Sequence, residues 1–360
     1  MKNAERIVLG YSGGLQSSLA IAWLTETYGA EVVTVTLDLG QGDDLADLRA
    51  RALGLGARRG HVLDVRDEFA RDFLMPALKA NALSEDRIPM ATALGRPLIA
   101  RKLIEVARIE DATTIGHGAI GRDRARIEGP LRSLDPLTPI VAAASEWDFT
   151  PQSLAAFADQ HGITLPAESG QPFRADRNLW GRSVGVRGAI DPSQEVSEAY
   201  YAMTRRPDRC PDQPAYVDLG FERGLPATVN GVAMPIVELV DSLTTIGSEH
   251  GVGRLDRVKQ KPDGTRSQAV YEMPASVVLH AAHLELDRFV HASALMRVSR
   301  SVAAEVADVV DRGEWFTPAR EALGAFVDHV QQTTTGVVRL KLFKGDCRVV
   351  GRSTKPSEPL

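Results

Sequence analysis

The chain carries 42 Lys+Arg against 47 Asp+Glu in 360 residues, with 44% hydrophobic and 6% aromatic content. At about 100–200 residues per domain, that length predicts two domains with their own cores and excludes disorder. A net charge of −5 and a pI near 6.0 offer no broad cationic face for a duplex, so anion recognition should be local and no nucleic-acid partner is expected.

The start, MKNAERIVLGYSGG, lacks the apolar core and cleavage site of a secretory signal, and its apolar run is too short to span a bilayer. The expectation is a cytoplasmic protein with no membrane partner. Cys210 and Cys347 are too far apart for a CxxC motif and too few for a disulfide framework, so both read as ordinary partly buried thiols and no metal site is expected.

The first half alternates strand and helix patterns, which predicts a doubly wound α/β domain with a parallel sheet. Arg6 to Gly10 reads as a strand, followed by a glycine turn and a helix over Ser17 to Tyr28. Glu31 to Asp38 is a β-branched strand. Asp43 to Leu53 reads as a helix, with Asp43 and Asp44 favouring its N-terminus. Strand His61 to Val65, helices Arg66 to Asn81 and Pro97 to Ile109, strand Thr113 to Gly116, the apolar stretch Pro139 to Ala143 and helix Pro151 to His161 complete a unit ending near Pro166.

Glu168 to Asp191 has no clear period but contains Phe173, Leu179 and Trp180, and reads as an ordered connection. Beyond it, strands are predicted over Ala215 to Phe221, Leu225 to Asn230 and Val337 to Phe343, and helices over Ile236 to Ile246, Pro274 to Val298 and Pro318 to Gln331. A second, mixed α+β domain fits these segments. The expected division is 1–166, 167–350 and a short tail, 351–360.

The passage Val8 to Ser18, VLGYSGGLQSS, carries the strongest chemical signal. Gly13 and Gly14 allow a sharp turn with converging N–H groups, and Ser12, Ser17 and Ser18 add hydroxyls at a helix N-terminus, a nest suited to phosphate. The passage lacks the GK[ST] ending of a Walker A loop and the spacing of GxGxxG, which disfavours a P-loop kinase and a Rossmann dehydrogenase. A plain tight βα turn is the alternative.

SGGLxSS after an N-terminal strand resembles the pyrophosphate loop of the N-type ATP pyrophosphatases. Within that group the chain is similar to the argininosuccinate synthase family over nearly its whole length. The resemblance runs through LDLGQGDD (Leu37 to Asp44), SEDR (Ser84 to Arg87), GRPLIARKLIEVAR (Gly95 to Arg108), IGHGAIG (Ile115 to Gly121), RNLWGRS (Arg177 to Ser183), HGVGRLD (His250 to Asp256), VYEMPA (Val270 to Ala275) and TGVVRLKLFKGDCRVVGRS (Thr335 to Ser353). It implies an ATP- and Mg²⁺-dependent ligase that adenylates the ureido oxygen of citrulline, releases pyrophosphate and lets the amine of aspartate displace AMP. Alignment and charge stabilisation at the phosphates would supply most of the catalysis.

Carried over by motif, the resemblance puts ATP on Gly10, Tyr11, Ser12, Gly13, Gly14, Leu15, Gln16, Ser17 and Ser18, with Leu37 lining adenine and Gly118 approaching the nucleotide. His117, in the same motif, reads first as structural. Ser12, Gln16 and Asp123 are the candidate catalytic groups. Ile88, Thr92, Ala93, Ile120, Arg126, Arg174, Ser183, Lys259 and Tyr271 occupy substrate positions.

Several of these positions depart from the family pattern. Gln16 replaces an aspartate, which should weaken any Mg²⁺ contact. Ile88 replaces a tyrosine, Ala93 and Arg174 replace serines, and Lys259 replaces a glutamate, so the reading predicts an AMP-forming ligase that adenylates a ureido, amide or carboxyl oxygen of an acceptor other than citrulline, carrying negative charge, in specialised metabolism. Ile120 replaces a threonine and HGAIGRDRARIE is two residues shorter. The asparagine of the family's Asn-Asp pair is then missing and Asp123 stands in for the aspartate, while either Arg122 or Arg124 recruits a carboxylate or Arg122, Arg124 and Arg126 form a solvated basic loop.

The chain stops soon after CRVVGRS, where the family continues into a subunit-locking helix, so a twofold homo-oligomer is expected in place of the tetramer. The first alternative is a genuine argininosuccinate synthase. The second is a non-catalytic nucleotide-binding protein. A thiolating enzyme is disfavoured because neither cysteine lies in a nucleotide motif.

Overall fold

The computed structural model describes residues 5–42, 45–147, 150–163, 173–186, 190–260 and 264–354. In chain order, β1 (Arg6–Gly10), α1 (Leu15–Tyr28), β2 (Glu31–Asp38), α2 (Leu45–Gly54) and β3 (Arg59–Asp64) precede α3 (Arg66–Phe69), a π-helical turn over Ala70–Leu74, and α4 (Met75–Lys79). Next come α5 (Ala91–Ile109), β4 (Thr114–His117), α6 (Arg122–Leu134), β5 (Ile140–Ala142), α7 (Ala143–Glu146) and α8 (Pro151–Gln160). The remainder runs β6 (Phe173–Asn178), β7 (Gly181–Val186), β8 (Ala215–Glu222), β9 (Leu225–Val229), β10 (Val232–Ala233) and α9 (Ile236–Glu249). It closes with β11 (Arg254–Gln260), β12 (Arg266–Glu272), α10 (Pro274–Val290), α11 (Ser293–Arg312), α12 (Pro318–Gln331), β13 (Gly336–Phe343) and β14 (Asp346–Ser353).

Two compact units emerge, neither continuous in sequence. The first comprises Met1–Val65, Gly95–Gln171 and Val309–Thr317; the second comprises Arg66–Leu94, Pro172–Asp308 and Pro318–Leu360. In the first unit five parallel strands lie in the order β3-β2-β1-β4-β5. β1 and β2 are nearly continuous apolar runs because helices cover a parallel sheet on both faces. Ile7, Leu9, Ile21, Leu24 and Val32 anchor the core, and Trp23 stacks on Trp147 at 5.8 Å. Strand order reverses at β1, so a crevice is expected at the carboxyl ends of β1 and β4.

The second unit holds two antiparallel sheets, β10-β9-β8-β13-β14 and β11-β12-β7-β6. The buried face of α10, with Val278, Leu279, Ala282 and Leu286, packs against β13 and β14. The architecture is therefore the expected α/β sheet with a mixed second part. No helix among the described residues is long and apolar enough to cross a membrane.

The structure departs from the sequence reading in several places. Helix α5 begins at Ala91, six residues before Pro97, because the buried Ala91, Ala93, Leu94 and Leu98 outweigh the one lost N–H of an internal proline. The aperiodic connection contains the hairpin β6–β7, and HGVGRLD leads into β11. These strands escape a periodicity reading because charged residues alternate with small ones, and β6 and β11 are sheet edges. β14 escapes for the same reason.

The segment read as one helix over Pro274 to Val298 breaks at His291, whose backbone is extended and whose Nε2 lies 2.8 Å from Thr334 Oγ1; the second helix continues to Arg312. The apolar period persists across that break and conceals it. The helix expected over Arg66 to Asn81 contains the π turn. β3 starts two residues early, at Arg59. Asp43, Asp44, Pro166 and Glu168 lie outside the described residues.

Candidate functional site

At the carboxyl end of β1 the chain turns over Ser12 to Gly14 into α1. Gly13 takes φ +73°, and a Cβ there would also run into the Leu48 side chain, so glycine is required on both counts. Gly14 caps the helix through backbone alone, and no acidic side chain occupies the first turn. Ser12 and Gly14 are exposed, whereas Ser17 and Ser18 are buried.

The loop is held from within. The Ser17 hydroxyl donates to the Gly14 carbonyl at 3.0 Å and lies 3.2 Å from the Ser12 hydroxyl; Ser18 Oγ lies 3.3 Å from the Tyr11 hydroxyl. Tyr11 is tied to the second strand, its N–H donating to Val35 and its carbonyl accepting from Thr36 Oγ1. The result is a turn without charged side chains, exposed at Ser12 and Gly14, at the start of a fourteen-residue helix whose dipole favours an anion such as phosphate. Leu15 and Gln16 are half-buried on the first turn, and Gln16 brings an amide where a carboxylate would give charge.

Leu37 is buried near the end of β2, and Gly118 follows the last residue of β4, with nothing within 4 Å of where a Cβ would sit. His117 is buried: its Nδ1 accepts from the Ala119 N–H at 3.2 Å, and its Nε2 lies 3.4 Å from Glu128. Burial pushes this imidazole down and outweighs the opposing pull of Glu128, so it is a neutral strut. Ile120 is exposed.

The basic stretch Arg122 to Arg126 is the first turn of α6 and not a solvated loop. Its arginines already hold carboxylates of the protein. Asp123 bridges Arg96 and Arg126 at 2.9 Å each, Arg126 also pairs with Asp311, and Arg122 reaches Asp311 at 3.0 Å. Arg124 bonds Glu128 at 2.6 Å. Burial raises the Asp123 carboxyl, but Arg96 and Arg126 outweigh it and hold the group below the usual carboxylate range.

In the second unit, four of the substrate positions share one face of the β11-β12-β7-β6 sheet. Tyr271 opposes Ser183 and Leu255, Lys259 opposes Ser267, and Arg174 opposes Gly185, which pairs with Ala269, itself opposite Arg257. The segment 84–93 meets this face. Thr92 Oγ1 lies 2.9 Å from Ser183 Oγ, and Asn178 Nδ2 donates to the Ala91 carbonyl at 2.8 Å. Ile88 and Ala93 are buried.

Lys259 corrects the sequence reading most clearly. It is not an unmatched buried cation: its side chain is 33% exposed and Nζ lies 2.9 Å from Glu85. The hydrogen bond from Lys259 holds the Glu85 carboxyl below its ordinary range. Glu85 and Asp86 both take positive φ, 55° and 59°, and Ser84 and Ile88 pair across them, so a strained tight turn delivers the carboxylate. Arg257 lies 3.7 Å from Glu85 and 5.7 Å from the Tyr271 ring centroid. Arg174 is exposed on the edge strand β6.

Sequence reasoning missed Glu85, Arg96 and Asp311. Glu85 stands in the SEDR motif and could have been found by asking which acid compensates Lys259. Asp311 lies 185 residues from Arg126 and left no local signal. Among the described residues no group of three His, Cys, Asp or Glu side chains could hold a metal ion.

Comparison with known proteins places this geometry in context. Residues 6–164 match the family model for the arginosuccinate synthase N-terminal HUP domain, and residues 173–358 match that for the arginosuccinate synthase C-terminal domain. The chain is 44% identical over 355 residues to the argininosuccinate synthase of Rubrobacter xylanophilus, covering 98% of this chain and 87% of that one. It is 41% identical over 360 residues to that of Synechococcus elongatus, covering 99% and 90%. For Geobacillus kaustophilus the figures are 40% over 351 residues, 97% and 86%. The chain belongs to the argininosuccinate synthase family.

Proposed function

We propose that the protein is an ATP-dependent C–N ligase that joins citrulline and aspartate to give argininosuccinate, AMP and pyrophosphate. The observation that carries this reading is identity of 40–44% to argininosuccinate synthases, sustained across both halves of the chain. It outweighs the specialised acceptor expected from single pocket positions.

In the proposed reaction the ureido oxygen attacks the α-phosphorus as pyrophosphate leaves. The amine nitrogen then attacks the ureido carbon and loses a proton, and AMP departs with the former ureido oxygen. The N–H groups of the Ser12–Gly14 turn and the dipole of α1 would hold the pyrophosphoryl group, with Leu37 and Gly118 beside the nucleoside. Mg²⁺ bound with ATP would neutralise phosphate charge, and its anionic ligands would come mainly from the phosphates, because the first turn of α1 offers no acidic side chain. By motif, Ser183 and Tyr271 are acceptor positions of the second unit and Arg126 is an acceptor position of the first. A cytoplasmic, twofold homo-oligomer completes the proposal, and light scattering reads the oligomer directly.

A second reading is the same chemistry on a different, negatively charged acceptor. Its support is specific: Ile88 and Ala93 put buried apolar side chains at two acceptor positions, and Lys259 places a partly exposed cation, paired with Glu85, at a third. Incubation with ATP, Mg²⁺, citrulline and aspartate, followed by mass spectrometry for argininosuccinate, separates the readings. Product formation supports the first. Pyrophosphate release with anionic acceptors but not with citrulline supports the second, and tight ATP binding without turnover on any acceptor refutes both.

A further inference from the structure

Within the first unit, α6 and the segment Val309–Thr317 are in backbone contact. Gly313, at φ +77°, sits against Ala125 and Arg126: a Cβ on it would lie 2.4 Å from the Ala125 carbonyl oxygen and 2.8 Å from Arg126 Cα. From the other side, a Cβ on Gly129 would lie 2.5 Å from the Gly313 carbonyl oxygen. Two glycines thus permit an approach that no larger residue would allow, and it brings Asp311 onto Arg126.

The contact produces an alternating row, Arg96–Asp123–Arg126–Asp311–Arg122. Asp311 grips Arg126 twice, through its carboxylate on Nη2 and through its own carbonyl on Nε at 3.2 Å, while Asp123 takes Nη1 at 2.9 Å. A guanidinium has five N–H groups in a rigid plane, so three anchors fix both its position and its tilt. Arg126 is only 15% exposed at its side chain.

We propose that Asp311 is a positioning residue that sets Arg126 for recognition of the acceptor's anionic group, the remaining N–H on each terminal nitrogen being presented to a carboxylate. Asp311 acts through Arg126 and not on the reacting atoms. It also selects against acceptors lacking an anion at that point, since an anchored fork cannot swing away to let water in. The proposal rests on Arg126 meeting the acceptor, as in the function proposed above.

The test compares Asp311→Ala, Asp311→Asn, Arg126→Ala and the double variant Asp311→Ala/Arg126→Ala in the full chain. The expected result is a rise of tenfold or more in acceptor KM for Asp311→Ala, a smaller rise for Asp311→Asn, and ATP affinity within twofold of wild type. The double variant should match Arg126→Ala alone. Phenylglyoxal labelling without substrates, mapped by peptide mass spectrometry, should modify Arg126 at least fivefold faster in the Asp311 variants, with Arg132 as the unchanged control.

Acceptor KM within twofold of wild type, additive losses in the double variant, or a parallel loss of ATP affinity and melting temperature in both Asp311 variants would each overturn the proposal. Unchanged Arg126 labelling would overturn it as well. If the wild-type enzyme turns over no acceptor, the function proposed above fails, and the labelling arm still decides whether Asp311 positions Arg126.

Discussion

The Ser12–Gly14 turn of the first unit and the four-stranded sheet of the second handle charge by opposite means. From Gly10 to Ser18 the chain contains no ionisable acid or base except the Tyr11 phenol, and its binding capacity lies in backbone N–H groups, hydroxyls and a helix end. On the sheet face, Arg174, Arg257, Lys259 and Glu85 carry formal charges, and each polar choice is made by a side chain. A backbone site keeps its function through many substitutions provided its glycines stay. A side-chain site changes ligand preference with one or two replacements.

The sheet side of this contrast should break most severely at Glu272, the last residue of β12. Its buried carboxylate accepts from Arg182 at 2.8 Å and from the N–H groups of Ala202, Met203 and Thr204. Glu272→Ala should cost about 3–5 kcal/mol in urea denaturation, because Arg182 and the three amides lose their partner. Burial raises this carboxyl, but the backbone donors outweigh it and leave it below its ordinary value of 4.5. Its stabilisation is therefore complete above that value and is lost as pH falls through the lower folded value; the variant should lack this part of acid unfolding.

Next in size is His280 on α10, which meets Trp180 edge-on at 6.0 Å and has no partner at Nδ1 among the described residues. Burial, aided by His283, pushes it down to about 3 from 6.5. The unfolded chain binds a proton that the folded chain refuses, so its stabilisation is present above pH 6.5 and is lost by about 1.4 kcal/mol per pH unit below it. His280→Leu should flatten stability between pH 6.5 and 4.5; an unchanged slope would refute the assignment.

The loop side sharpens at Gly13. Gly13→Ala places a Cβ at φ +73° and pushes on Leu48, with an expected cost of about 1–2 kcal/mol in stability. ATP affinity, read by calorimetry, should fall tenfold or more. Retention of wild-type affinity would remove the loop from the binding site.

The smallest effect belongs to the Lys259–Glu85 pair. Both side chains are partly exposed, so a double-mutant cycle on stability using Lys259→Met and Glu85→Gln should give about 0.5 kcal/mol. Its value is diagnostic, since Lys259→Glu with Glu85→Lys should restore that coupling while inverting any preference between cationic and anionic acceptors.

The parallel sheet and the glycine turn into α1 were legible in the sequence because their signals are local: β-branched runs in β1 and β2, then paired glycines before a helix. The sheet face was only half legible. Ser183, Lys259 and Tyr271 could be named, but not the Glu85 carboxylate that neutralises Lys259, because a strained turn far away in sequence supplies it. For the same reason the sequence left a binding role and a solvated basic loop both open for Arg122 to Arg126. Asp311, the carboxylate partner of Arg122 and Arg126, arrives through a glycine-to-glycine backbone contact, which leaves no periodic trace.

The central claim, an AMP-forming ligation through an activated ureido oxygen, is tested most directly by oxygen tracing. Citrulline labelled with ¹⁸O at the ureido oxygen is incubated with ATP, Mg²⁺, aspartate and the protein, and the AMP is weighed by mass spectrometry. The account predicts one ¹⁸O in each AMP formed, together with stoichiometric argininosuccinate and pyrophosphate. Unlabelled AMP, or no AMP despite saturating substrates, would contradict it.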